Sequence, residues 1–303
     1  MRNGIATRNR QWMRILSLAA VVLTMAFSAS PALASGLLYT ISKDGDLRGY
    51  LLGTVHSDDP RVLNFSAEFT EALNTCDRFA MELVPDQPTL SRLMDFMHYT
   101  DGTTLASRIG EERYRRLLKA VETYRLGADQ LATMKVWAAM MTISIPPPEN
   151  GLFMDLSLAL QAAGSGLRVV GLETLDEQLS FLEDMPEEQQ LLMLDQALDE
   201  FDELGKFYDE LISTYLLEDL DELKTLSEKQ MDELPDEASQ YFFDKGIDGR
   251  NLRMADRLNT ELESATVFAA VGALHLPGEN GLVSLLRTKG YTVEPTPFSP
   301  FGD

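Results

Sequence analysis

Apolar and polar positions follow two periods along this chain. Short apolar runs bounded by turn residues read as buried strands, and longer stretches with apolar positions three and four apart read as helices. The strand-like runs are residues 37–42, 49–52, 78–83, 167–171, 265–271 and 291–294. The first two flank Lys43-Asp44-Gly45-Asp46, where Asp-Gly is a tight-turn signal, so a hairpin is expected there. Between the later runs lie helical stretches. Residues 66–76 carry Ser66 as a candidate N-cap, with Phe65, Phe69 and Leu73 at helical spacing. Residues 89–145 read as several helices stopped by Pro146-Pro147-Pro148. A helix over about 150–163 ends at Gly164-Ser165-Gly166. From 174 to 262, Leu175, Leu179, Leu182, Leu191, Leu194, Leu198, Phe201 and Leu204 keep the helical period, with acidic residues between them that make a solvated face. A last helix, 281–289, closes on Gly290.

This alternation predicts an α/β (α+β) fold: a mixed central sheet, surrounding helices and a large helical insertion. One domain over 35–303 is expected, with helical regions at 89–145 and 175–262 inside it. The acidic helices of 183–262 are expected to cover the ligand cleft.

The first 34 residues change the picture in another way. Arg2, Arg8, Arg10 and Arg14 precede an apolar stretch from Ile15 to Ala29, and Pro31-Ala32-Leu33-Ala34 ends in small residues. That is the pattern of an export signal cleaved after Ala34, so a periplasmic or secreted protein with no stable membrane anchor is expected. The formal net charge is −22 at pH 7, and losing four arginines makes the mature chain more acidic still. Such a surface argues against nucleic acid and against anionic lipid as partners. With one cysteine, Cys76, no intramolecular disulfide forms, and the residue reads as a small buried apolar group.

The candidate chemistry sits just past the strands. The chain has three histidines, and two end the same local pattern: Gly53-Thr54-Val55-His56 and Gly272-Ala273-Leu274-His275. Glu82 ends Phe79-Ala80-Met81-Glu82, and Glu173 follows the run that closes at Gly171. In open α/β sheets the carboxyl ends of strands are where ligands bind. His56, His275, Glu82 and Glu173 are donors of the type that holds Zn²⁺, Mn²⁺ or Co²⁺, and such an ion would acidify a bound water; one carboxylate would otherwise serve as a general base. His98 lacks the strand–glycine setting. No His-Glu-x-x-His, Gly-x-Ser-x-Gly, phosphate loop or Cys-x-x-Cys is present.

The chain resembles the TraB/GumN family, which includes the TIKI membrane metalloproteases. The resemblance rests on Tyr50-Leu51-Leu52-Gly53-Thr54-Val55-His56, Phe79-Ala80-Met81-Glu82-Leu83, Gly171-Leu172-Glu173-Thr174 with Gln178, Gly249-Arg250-Asn251, and Val271-Gly272-Ala273-Leu274-His275-Leu276-Pro277-Gly278, in that order across roughly 37–295. It implies a mixed α/β core in which both Gly-x-x-His histidines face one cleft, and a catalytic set of His56, Glu82 and His275. Arg250 matches the family's Arg-Asn pair; it would bind a substrate carboxylate or stabilise an oxyanion, or it would salt-bridge within the acidic chain. Asp155 stands four residues past Gly151, looser than the family's Gly-x-Asp, and reads as a helix-capping group.

The expectation is therefore a metal-dependent, peptidase-like hydrolase acting on a peptide or small-molecule substrate. A non-catalytic protein that binds a peptide, metal or haem is the alternative, since related Gly-x-x-His proteins include erythromycin esterases and ChaN-like haem-binding proteins. A metal-independent, esterase-like hydrolase with a histidine base is a third. The sequence leaves the oligomeric state open.

Overall fold

A computed structural model of the chain describes residues 36–231 and 234–302; the export-signal expectation for 1–34 lies outside them. Among the described residues a mixed sheet of six strands, flanked by helices, forms an α/β fold. The strands are β1 (Leu38–Lys43), β2 (Asp46–Thr54), β3 (Arg78–Met81), β4 (Arg168–Gly171), β5 (Val267–Gly272) and β6 (Thr292–Pro295), in the order β4-β3-β5-β2-β1-β6. β4, β3, β5 and β2 run parallel, while β1 runs antiparallel to both β2 and β6.

The sequence dictates much of this locally. Asp44 and Gly45 take φ of 56° and 86°, the left-handed pair that an Asp-Gly hairpin turn needs. β2 starts three residues earlier than its apolar run, because pairing with β1 continues out to Lys43↔Asp46. Inside β2, Gly49 has φ 151°, and any Cβ there would fall 1.8 Å from the Val267 carbonyl oxygen on β5, so the close approach of these two strands requires glycine. Ser66 caps helix Ala67–Asn74 by accepting from the Phe69 N–H. Cys76 is buried, as its apolar setting predicts.

Two apolar cores result. One packs both faces of the sheet, with Phe79, Phe268, Leu51 and Leu52 at its centre. The other lies among the helices between residues 105 and 198 and includes Ile109, Trp137, Leu175 and Leu194. Helix Val136–Ile143 is almost wholly sunk in this second core. It is tied down by Trp137 Nε1 and Lys135 Nζ, which both donate to Glu183 at 2.7 Å. No helix among the described residues is long and apolar enough to cross a membrane.

Candidate active site at the parallel strand ends

Each parallel strand delivers one of the four polar residues at its carboxyl end. His56 follows β2, Glu82 follows β3, Glu173 follows β4 and His275 follows β5. The two Gly-x-x-His segments are direct neighbours, since β2 and β5 pair with Gly53 opposite Val271 and Thr54 opposite Gly272. Gly53 permits this: a Cβ there would lie 3.0 Å from the Ala273 Cα of the other segment.

The histidines then part. After β5 the chain turns through a short 3₁₀ segment, Ala273–His275, that drops His275 into the interior with its side chain 5% exposed. Asn251 Oδ1 lies 2.7 Å from His275 Nδ1. An amide oxygen only accepts, so Nδ1 carries the proton and Nε2 keeps its lone pair. That Nε2 faces Glu82 Oε1 at 3.7 Å. Burial pushes His275 down to about 4, against the raising influence of Glu82, so the ring is neutral at pH 7.

Glu82 is held from three sides. Oε1 accepts the Gly272 N–H at 2.7 Å, and Oε2 accepts Arg250 Nη2 at 2.5 Å and Gln178 Nε2 at 3.1 Å. Burial alone would raise its pKa, but the charge that His275 gains at low pH, Arg250 and the Gly272 N–H together hold it down at about 2. Arg250 is itself buried. It donates to Glu173 Oε2 through Nε at 2.8 Å and Nη2 at 2.6 Å, and to the Gly246 carbonyl through Nη1 at 3.3 Å. Glu173 Oε1 takes Arg253 Nη2 at 3.2 Å. Of the two roles open to Arg250, the geometry is that of the internal salt bridge: it clamps two carboxylates and does not line the cavity.

His56 sits on the opposite footing. Its side chain is 59% exposed, its ring stacks on Phe153 at 4.3 Å, and Nδ1 faces Asp155 Oδ2 at 3.6 Å. Asp155 accepts the Thr54 hydroxyl at 2.7 Å. The capping role expected for Asp155 is not what its oxygens do. It lies in the first turn of helix Met154–Gly164 but caps no backbone N–H of that helix, because Thr54 and His56 occupy the carboxylate instead. The loop carrying Phe153 is pinned to the His56 loop, with Asp58 Oδ2 accepting the Asn150 and Gly151 N–H groups at 2.8 and 2.9 Å and Met154 N–H donating to the Ser57 carbonyl at 3.0 Å.

His56, Asp155, Thr54, Glu82 and Gln178 line one cavity of about 510 Å³, a volume in the ~300–1,000 Å³ range of small-ligand sites. Its far wall comes from Met141 and Ile145, in the first helical region. This corrects the expectation that 183–262 covers the cleft: those residues contribute Arg250 and Asn251 from behind and none of the lining. His98 lies elsewhere, with Nδ1 3.1 Å from the Thr133 hydroxyl.

The four residues nominated as metal donors do not converge. Among the described residues no three His, Cys, Asp or Glu side chains come together as a ligand set. Glu173 is fully engaged by guanidinium groups, Arg250 occupies Glu82 Oε2, and each histidine meets a single carboxylate. As placed, only His275 and Glu82 of the four face each other, His56 turns to Asp155 and Glu173 to arginines, and the set does not fit a divalent ion. Sequence reasoning gave no role to Asn251, Gln178 or Thr54. The nearest signal was their place in or beside the motif stretches, with Asn251 immediately after Arg250.

An α/β sheet with His56, Asp155 and Glu82 on one cavity at its parallel strand ends, and His275 buried behind Glu82, defines a Gly-x-x-His type of protein. The model of the TraB/PrgY/gumN family matches residues 37–295, and the chain belongs to that family. Among curated proteins it is 27% identical over 301 residues to metalloprotease TIKI2 of Danio rerio, covering 82% of this chain and 58% of that one. It is 26% identical over 302 residues to the metalloprotease TIKI homolog of Nematostella vectensis, covering 81% of this chain and 64% of that one. It is 24% identical over 255 residues to the uncharacterized protein YbaP of Escherichia coli K12, covering 82% of this chain and 90% of that one. The chain thus spans less than two thirds of the TIKI relatives it matches. No solved structure matches it significantly.

Proposed function

We propose that the chain is a hydrolase of peptide-like substrates, exported to the periplasm or beyond. The observation that carries this is the pairing of each histidine with a carboxylate at adjoining strand ends, His56 with Asp155 and His275 with Glu82. His56 is the accessible imidazole, and Asp155 beside Nδ1 favours the proton on that nitrogen, which leaves Nε2 as a base toward the cavity. It takes a proton from the attacking water and returns it to the leaving group. Glu82, held at about 2, is too weak a base for that task; its ionised oxygens orient the water. Gln178 has a second amide N–H beyond the one on Glu82, and it offers this donor to the developing oxyanion. Arg250 is the positioning residue that fixes Glu82 from behind, and Asn251 fixes the ring of His275, whose Nε2 faces Glu82. The names of the TIKI relatives support peptide-bond hydrolysis and suggest metal dependence; the basic and apolar N-terminal segment supports export.

The test is peptide-library hydrolysis read by mass spectrometry. The unaltered chain is expected to cleave, and His56→Ala and Glu82→Gln are expected not to. Activity that survives thorough chelation supports the base reading. Activity lost on chelation and restored by Zn²⁺, Mn²⁺ or Co²⁺ moves the chemistry to a metal. Bound peptide without product, with or without added metal, moves the protein to a binding function.

A further inference from the structure

The cavity has an apolar side that the chemistry above does not use. Met81, Leu83, Met141, Ile145, Phe153 and Leu156 line it. Helix Val136–Ile143 buries Val136, Trp137, Ala138, Ala139, Met140 and Ile143, yet leaves Met141 at 38% exposure on the cavity wall. The buried face packs the helix into the core, and Glu183 anchors its start through Lys135 and Trp137. The open methionine is therefore part of a preformed apolar surface, of the kind a ligand covers. Among the described residues the charged side chains that line the cavity are Glu82 and Asp155, and no lysine or arginine lines it. An acidic side chain entering here would lose hydration and meet carboxylates.

We infer that this side is a subsite for one bulky apolar side chain of the substrate, of the phenylalanine, leucine or methionine class, and that Met141 and Ile145 set the preference. The inference takes its substrate class from the hydrolase reading, but binding tests it without turnover. Blocked Ala-Ala-X-Ala-Ala peptides, with X as Phe, Leu, Ala or Asp, are titrated by calorimetry against the full chain carrying His56→Ala. They are then given to the unaltered chain with cleavage read by mass spectrometry. Phe and Leu are expected to bind about 10-fold or more tighter than Ala, the scale of discrimination an apolar pocket reaches, with Asp weaker than Ala. Met141→Asp is expected to erase the preference and Met141→Leu to keep it; Ile145→Asp is a second, independent lesion in the same wall. Binding in this order without any cleavage retires the hydrolase reading and leaves the subsite standing. Equal binding of the four peptides, or a preference untouched by both Met141→Asp and Ile145→Asp, overturns the subsite.

Discussion

The two Gly-x-x-His segments end neighbouring strands paired residue for residue, yet their histidines live in opposite surroundings. His56 stands at the mouth of the cavity, stacked on a phenylalanine and facing a carboxylate held by a hydroxyl. His275 lies buried behind the floor that Glu82 and Gly272 make, neutral, fixed by an asparagine and aimed at a carboxylate that an arginine clamps. The spacing sets where each imidazole starts; the elements that reach it from elsewhere set what it can do. The mouth is built by the loop and helix start around 146–156, and the floor by Arg250 and Asn251 of helix Gly249–Leu262. One prediction separates them directly. His56→Ala and Glu82→Gln should each lower kcat/KM by about 10²–10⁴, but only Glu82→Gln should also lower the melting temperature. Steady-state kinetics beside thermal melts read this, and an equal loss of stability in both variants would erase the distinction between mouth and floor.

The floor should be the more fragile region. Arg250→Ala leaves Glu82 and Glu173 facing each other with their shared cation gone. Removing one partner of a buried ion pair costs about 3–5 kcal/mol, measurable by urea unfolding. Arg250→Lys should recover only part, since an ammonium cannot serve the Nε and Nη2 contacts on Glu173 together with the one on Glu82. Full recovery with lysine would show that charge alone matters there.

Sequence pattern made the frame legible and left the floor obscure. Apolar runs and the Asp-Gly turn placed the strands to within a few residues, and the polar residues past them, His56, Glu82, Glu173 and His275, all fall on one sheet edge. That much follows from local rules. The parallel register that sets Thr54 against Gly272 depends on a pairing across more than two hundred residues, which no local pattern carries. Arg250 and Asn251 were harder still. They follow a π-helical segment, Phe242–Asp248, where the 3.6-residue period assumed for the acidic helices breaks and the next turn is reset. Gly246 in that segment packs on the Phe181 ring, so close that a Cβ would come within 3.1 Å. The capping expected of Asp155 fails for a similar reason: what its carboxylate binds depends on how the loop after Pro146-Pro147-Pro148 is tied to Asp58, a long-range contact.

The pH dependence of stability should belong to the floor as well. In the fold, burial holds His275 at about 4 against 6.5 for a free imidazole. As the pH falls below 6.5 the unfolded chain takes up this proton first, so stability declines between about 6.5 and 4 and the decline from this group then levels off, at about 3 kcal/mol in all. Glu82 acts in a lower window. Its folded value of about 2 lies under the free value of 4.5, so its contribution is complete above 4.5 and is lost as pH falls toward 2. In His275→Gln the upper decline should vanish, and the lower one should shrink without disappearing, because Arg250 and the Gly272 N–H still hold Glu82 down. A melting profile that stays steep between 6.5 and 4 in that variant would place the titrating group elsewhere.

The smallest effect is expected at the mouth, and it is the one that most sharpens the contrast. The His56–Asp155 pair is long at 3.6 Å and largely open to water, with side-chain exposures of 59% and 28%. Exposed pairs of this kind contribute about 0–1 kcal/mol, so Asp155→Asn should leave unfolding by urea nearly unchanged. Asparagine keeps an oxygen for the Thr54 hydroxyl, so the loop stays in place. What it removes is the negative charge beside His56 Nδ1, which favours the tautomer that leaves Nε2 as a base. Activity should therefore fall by about 10-fold or more while stability holds, the reverse of Arg250→Ala. If Asp155→Asn instead destabilises the chain as Arg250→Ala does, the mouth carries structural load, and the division of labour between the two strand ends is wrong.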